Sequence, residues 1–188
     1  MSEAVDIRTA PIAAVEALDF RSPERDFFAD EAAAWERFDA SADGLTDDDW
    51  TLPGLAPSAV GGPDWSLLDH VAHIGAWQEA GIAYIGSALA GGPWPREADF
   101  SGGDLDTWNE ERRGEWDGQS PAAVRERVRA GHARLVETAR RVPADVLLGG
   151  DDVYPWVFWV LHGHQLDHLR IIEPWVATLR GRSAPAAR

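Results

Sequence analysis

The chain contains no cysteine. That excludes disulfide staples, cysteine-ligated metal and a cysteine nucleophile of the protein's own, so any thiol chemistry needs a thiol from outside. Basic residues are scarce: 17 Lys and Arg stand against 32 Asp and Glu, a formal charge of −15. A field of that sign repels phosphate backbones and anionic lipid surfaces, which argues against nucleic acid or a membrane as partner. No uninterrupted apolar run approaches the roughly 20 residues of a membrane-spanning helix. The opening MSEAVDIRTAP has no basic segment followed by an apolar one, so a cytoplasmic protein is expected. A Walker motif, a Gly-rich phosphate loop after a strand and a G-x-S-x-G elbow are all missing. So are internal repeats, and alternating β-branched runs are few.

What is present is helix punctuation. At 188 residues and 45% hydrophobic content, the chain has the size and composition of one globular domain. Ser22 as N-cap and Pro23 at the first helical position predict a helix over 23–40. The stretch LTDDDWTLPGLAPSAVGGP, with three prolines and three glycines, reads as a connecting loop. Ser66 and Asp69 have capping-box spacing and predict a second helix that runs to about residue 91. DLDTWNEERRGEW and SPAAVRERVRAGHARLVETARRV read as a third helix broken at DGQ, with Ser120 and Pro121 restarting it. The last begins at Pro155, and Pro174 is expected to kink or shorten it. The pattern predicts an all-α four-helix bundle over residues 23–180. Residues 1–22 form an N-terminal extension with a short helix in TAPIAAVEAL, and 181–188 a disordered tail.

Three histidines crowd LHGHQLDHLRII. At about 100° per residue His164 and His168 lie about 40° apart, on the apolar stripe of Val153, Val157, Val160, Leu161, Ile171 and Trp175. His162 is turned about 160° away and is expected to face outward or to cap a neighbouring element. Two inward imidazoles need separate partners if neutral and repel if protonated, whereas one divalent cation satisfies both. A third ligand must come from another helix, and DHVAHIG offers His70 and His73, of which the apolar periodicity leans to His70. His132 lies on the stripe of Val128 and Leu135 and reads as a core histidine. Trp77, Trp108, Trp156 and Trp159 are candidates to line a planar pocket, although large aromatics in helices more often pack a core. Arg112 and Arg113 in WNEERR read as a solvated charged face.

Taken in order, LTDDDW, PDWSLLDHVAHIGAW, DTWNEERR and HGHQLDHLRII resemble the successive landmarks of the DinB/YfiT-like superfamily. The likeness is strongest to its mycothiol-dependent maleylpyruvate isomerase-like branch and runs from Phe27 to Trp175. The resemblance implies a four-helix bundle that holds a divalent metal through three histidines, one closing a W-x-x-x-D-x-x-x-H pattern and two in an H-x-x-x-H. Trp65, Asp69 and His73 fill the first pattern, and His164 and His168 the second, so the resemblance selects His73 over His70. Zinc is the expected ion, with nickel, iron or manganese as alternatives. Asn109 matches a position the family keeps near the site and, with Trp77 and Trp159, makes up the expected substrate contacts.

The branch is similar to isomerases and S-transferases that use mycothiol or bacillithiol. The expected function is therefore metal-dependent thiol transfer to, or isomerisation of, a small electrophile. A metal-water hydrolase in the same site and a non-catalytic binding or self-resistance protein are the alternatives. The expected partner is a small molecule, and a homodimer is compatible with a bundle. Asp69, Asp167 and Glu173 are the nearby carboxylates; Asp167 lies about 60° from His164 and Glu173 on the opposite side.

Overall fold

The computed structural model describes residues 5–58, 62–95, 104–150 and 153–183. Apart from one antiparallel bridge between Ala56 and Trp65, the regular structure of the described residues is helical. The chain is all-α. Its elements are α1 (Ile12–Glu16), α2 (Phe27–Ser41), α3 (Asp47–Thr51), α4 (Leu67–Leu89), α5 (Leu105–Gly114), α6 (Pro121–Ala139), α7 (Ala144–Gly149), α8 (Tyr154–Phe158) and α9 (His164–Ser183). A π-helical turn, Trp159–Gly163, joins the last two.

The starts of these helices follow their side chains. At α4 the Ser66 hydroxyl accepts from the Asp69 amide while Asp69 accepts from the Ser66 amide, the capping box expected from the sequence. Ser120 caps α6 with Pro121 in its first turn. α2 begins later than expected. Asp26, not Ser22, is its N-cap and accepts from the amides of Phe28 and Ala29, whereas Ser22 accepts from Glu24 in a local turn. The later start puts Phe27, Glu31, Ala34 and Phe38 on one buried face. LTDDDW is likewise not all loop: Thr46 and Asp49 make a second capping box, and α3 inserts Trp50 at 3% exposure.

The longest helices are α2, α4, α6 and α9. α4 packs along α6, α9 along α2, and α4 also meets α9. Close approach of α4 to its neighbours depends on small residues: a Cβ at Gly75 would lie 2.3 Å from the Trp116 ring, and one at Gly81 would lie 2.9 Å from Val160. Two apolar clusters result. One gathers Trp50, Leu67, Val71, Ile74, Val128, Leu169 and Ile172; the other gathers Ile85, Leu135, Val157, Val160 and Leu161. His70 and His73 of α4 and His168 of α9 fall among residues of the first cluster, and His164 lies between Leu161 of the second and Leu166 of the first.

The π-helical turn corrects the phase of the last helix. Such a turn adds one residue to an α-helical path, so a wheel drawn at a constant 100° slips by one position across it. Ile171, expected on the inward stripe, is 40% exposed, while Ile172 and Val176 are buried. His162 does point away from His164, but that side is not solvent: the residue is fully buried and its Nε2 donates to the Phe27 carbonyl at the start of α2. Pro174 does not end α9, which continues through residues 181–183 of the expected tail to Ser183. The carbonyl left without a donor by that proline belongs to the exposed Arg170, within reach of water. Residues 184–188 of the tail lie outside the described residues.

Candidate metal centre

Three imidazoles converge between α4 and α9. The Nε2 atom of His164 lies 3.0 Å from Nε2 of His73 and 3.0 Å from Nε2 of His168. All three offer a ligand atom within 4.8 Å of one another. Behind them, Nδ1 of His168 meets Nδ1 of His70 at 2.7 Å. Both α4 histidines therefore point inward, as 60° of separation on a helix that is buried over much of its surface allows.

These rings are neutral at physiological pH. Burial lowers His70 to about 4, against a small pull from Asp69. Burial and the neighbouring His70 bring His73 to about 3, with Glu110 opposing. Burial, reinforced by the other rings, holds His164 and His168 well below the ordinary histidine value. Neutral imidazoles keep the lone pairs that metal ligation requires.

The donor set fits a cation. A neutral imidazole nitrogen either carries one proton or presents one lone pair in the ring plane. His164 Nε2 has two nitrogen neighbours at 3.0 Å, and a single proton or lone pair cannot serve both. A divalent ion satisfies all three nitrogens together. Tetrahedral zinc with bonds of about 2.0–2.1 Å would set its ligand atoms about 3.3 Å apart, a few tenths of an ångström more than the two 3.0 Å contacts and within the 4.8 Å that spans all three.

The walls are aromatic. Trp65 lies 5.2 Å from His70 and 5.1 Å from His73 between ring centres. Trp159, the first residue of the π turn, stacks on His164 at 4.3 Å. Trp77 stands 4.9 Å from Trp159 and 4.5 Å from Trp108, and its indole N–H donates to Asn109 Oδ1 at 3.0 Å. The expected substrate contacts Trp77, Asn109 and Trp159 are thus gathered beside His73 and His164. Trp156 is elsewhere, buried against Tyr84 at 5.8 Å.

A polar clasp holds α5 over this wall. α5 buries none of its residues. Arg113 bonds Asp69 at 2.8 Å, Glu110 at 3.0 Å and Asp117 at 3.1 Å. Glu110 also accepts from the indole of Trp65 at 2.8 Å and from Ser58 at 2.6 Å. Burial pushes the Glu110 carboxyl up, but the bonds from Ser58, Trp65 and Arg113 outweigh it and hold the carboxyl below its ordinary value. Arg113 is therefore no solvated charge, and Asp69 is occupied by Arg113 and by its own helix cap. Sequence reasoning left Glu110 and Arg113 out of the site and named Trp65 only as the first residue of the W-x-x-x-D-x-x-x-H pattern.

The remaining candidates have other partners. Glu173 makes a two-pronged ion pair with Arg37 of α2, at 2.7 and 2.9 Å. Asp167 is hydrogen-bonded by Trp159, and desolvation pushes its carboxyl above the ordinary value against that bond. His132 pairs with the buried Glu31 at 2.6 Å and stacks on Trp35 at 3.8 Å, a core contact as expected.

The family model described as the DinB superfamily matches residues 32–172. The chain belongs to the DinB superfamily. The matched span opens inside α2 and closes at Ile172 of α9, so it takes in His70, His73, α5, His164 and His168. No curated protein and no solved structure matches this DinB chain. Among its described residues no helix is long and apolar enough to cross a membrane.

Proposed function

We propose that this DinB protein is a divalent-metal-dependent enzyme that uses an external low-molecular-weight thiol of the mycothiol type. The thiol is transferred to a small electrophile or catalyses its isomerisation. The observation that carries the reading is the convergence of the three Nε2 atoms of His73, His164 and His168. A divalent cation held there, with zinc suited best to three nitrogen donors, supplies positive charge that lowers the pKa of a thiol or water brought against it. With no cysteine in the chain, the sulfur nucleophile of this reading is an imported one. The likeness of the four landmarks to the mycothiol-dependent branch supports its class.

The chain's own groups set the conditions for that chemistry. His73, His164 and His168 contribute lone pairs and no negative charge. Arg113 occupies Asp69 and Glu110, so neither carboxylate is free to ligate. Trp65, Trp77 and Trp159 exclude water and offer flat faces to a planar substrate. In an isomerase the sulfur adds to an activated carbon–carbon double bond. One C–S bond forms, the π bond breaks, rotation follows, and loss of the same sulfur restores both alkene and thiol. In a transferase the C–S bond is kept, and the thiol proton passes to the adjacent carbon or leaves with the displaced group. We take the partner to be a small molecule in the cytoplasm, with a homodimer as the assembly.

The test is zinc-loaded protein with a panel of activated alkenes and alkylating electrophiles, with and without mycothiol or bacillithiol, read by mass spectrometry. Thiol-dependent product supports the proposal. Turnover without thiol replaces it with a hydrolase, and tryptophan quenching at one equivalent without product replaces it with a binding or self-resistance protein.

A further inference from the structure

His70 lies one turn before His73 on α4, is 3% exposed, and touches the cluster only through the 2.7 Å contact between its Nδ1 and Nδ1 of His168. A contact that short between two imidazole nitrogens needs one to donate and the other to accept. The two assignments have opposite consequences. If His70 donates, the one proton of neutral His168 sits on Nε2, where it points at His164 Nε2 3.0 Å away and blocks ligation. If His70 accepts, His168 carries its proton on Nδ1 and its Nε2 lone pair faces the other two nitrogens. His70 then bears its own proton on Nε2, an atom that is buried without a hydrogen-bond partner.

We infer that His70 is a positioning residue: it accepts from His168 Nδ1 and fixes His168 in the tautomer that can hold a metal. The inference rests on the metal reading above. The partner of a metal-bound histidine is often a carboxylate or a backbone carbonyl. Here it is a neutral ring, and the adjacent Asp69 is held by Arg113 and Ser66. Asp69 and Glu110, whose charges reach His70 and His73, are each paired with Arg113, which leaves the charge of a bound cation largely uncompensated and favours an anionic incoming ligand such as a thiolate.

Two variants separate this role from packing. His70→Leu fills the space without an acceptor, and His70→Asn restores an acceptor oxygen near the Nδ1 position. Zinc affinity is measured by competition with a chelating dye, and the ligand field by the visible spectrum of the cobalt-substituted protein. The expected result is zinc affinity about 10- to 100-fold weaker with a shifted cobalt spectrum in His70→Leu, and values close to wild type in His70→Asn. Long-range nitrogen–proton NMR on wild-type protein gives a readout independent of any variant's folding. His70 should carry its proton on Nε2 and His168 on Nδ1. Wild-type zinc binding with an unchanged His70→Leu, or the reversed tautomers, overturns the role of His70 alone. Failure of the wild type to bind zinc or cobalt overturns the metal reading and this inference with it.

Discussion

The Nε2 atoms of His73 and His164 lie 3.0 Å apart although 91 residues separate them in the chain. Without a cation the two lone pairs either repel or share one proton, and the single ring-plane site of His164 Nε2 cannot serve both His73 and His168. Both His73→Ala and His164→Ala should therefore abolish metal binding. Elemental mass spectrometry should find about one equivalent of divalent metal in the wild type and almost none in either variant. Zinc at about a hundred times its dissociation constant should stabilise the wild type by about 2.7 kcal/mol, a rise in Tm of about 5–10 °C. Neither variant should respond. Full metal retention in either one would remove the three-histidine centre.

Acid should destabilise the apo protein, and His162 isolates one contribution. Burial lowers His162 to about 3, against the bond to Phe27. Between that value and about 6.5 the unfolded chain binds a proton that the folded chain refuses. Stability is therefore complete above about pH 6.5 and falls as pH drops towards 3, by up to about 1.4 kcal/mol per pH unit for this one group. Urea denaturation from pH 7.5 to 4.5 should show a slope shallower by about one proton in His162→Leu. Equal slopes would mean that His162 is not held neutral.

The clasp on α5 should loosen locally. Arg113→Met removes the bonds to Asp69, Glu110 and Asp117 from a helix with no buried residue of its own. Partly exposed ion pairs contribute about 1 kcal/mol, so hydrogen exchange across residues 105–114 should quicken about fivefold while Tm hardly moves. A fall in Tm without faster exchange would show that Arg113 supports the whole fold instead.

Two glycines of α4 should respond in opposite senses to alanine. At Gly75 the new methyl would meet the Trp116 ring at 2.3 Å, and overpacking of that kind costs about 1–3 kcal/mol. At Gly86 nothing lies within 4 Å, so alanine should stabilise the helix by about 0.5–1 kcal/mol. Chemical denaturation of the pair checks both, and equal destabilisation would contradict the close α4 packing.

Much of this was legible in the chain because local signals carried it. Ser66, Asp69, Ser120 and Pro121 state their helix starts in side-chain chemistry, and the H-x-x-x-H spacing alone puts the rings of His164 and His168 on one face of the last helix. Thr46 and Asp49 announced α3 equally clearly but were outweighed by the prolines that follow. Three things were not local. The choice between His70 and His73 turns on which ring nitrogen meets α9, and a wheel has no access to that. Arg113 reads as a surface charge until α5 is laid beside Asp69. The π turn has no side-chain signature, yet it moves the buried position from Ile171 to Ile172.

That turn also sets how the last helix can change length over generations. Trp159 opens it and His164 follows it, so the tryptophan wall and two of the three ring nitrogens hang from opposite ends of one five-residue segment. Dropping a single residue there would restore a regular helix while swinging the wall about 100° away from the ring it covers. Codon-sized insertions and deletions are thus barred from this short segment by geometry alone. Its length is as much part of the site as the histidines themselves.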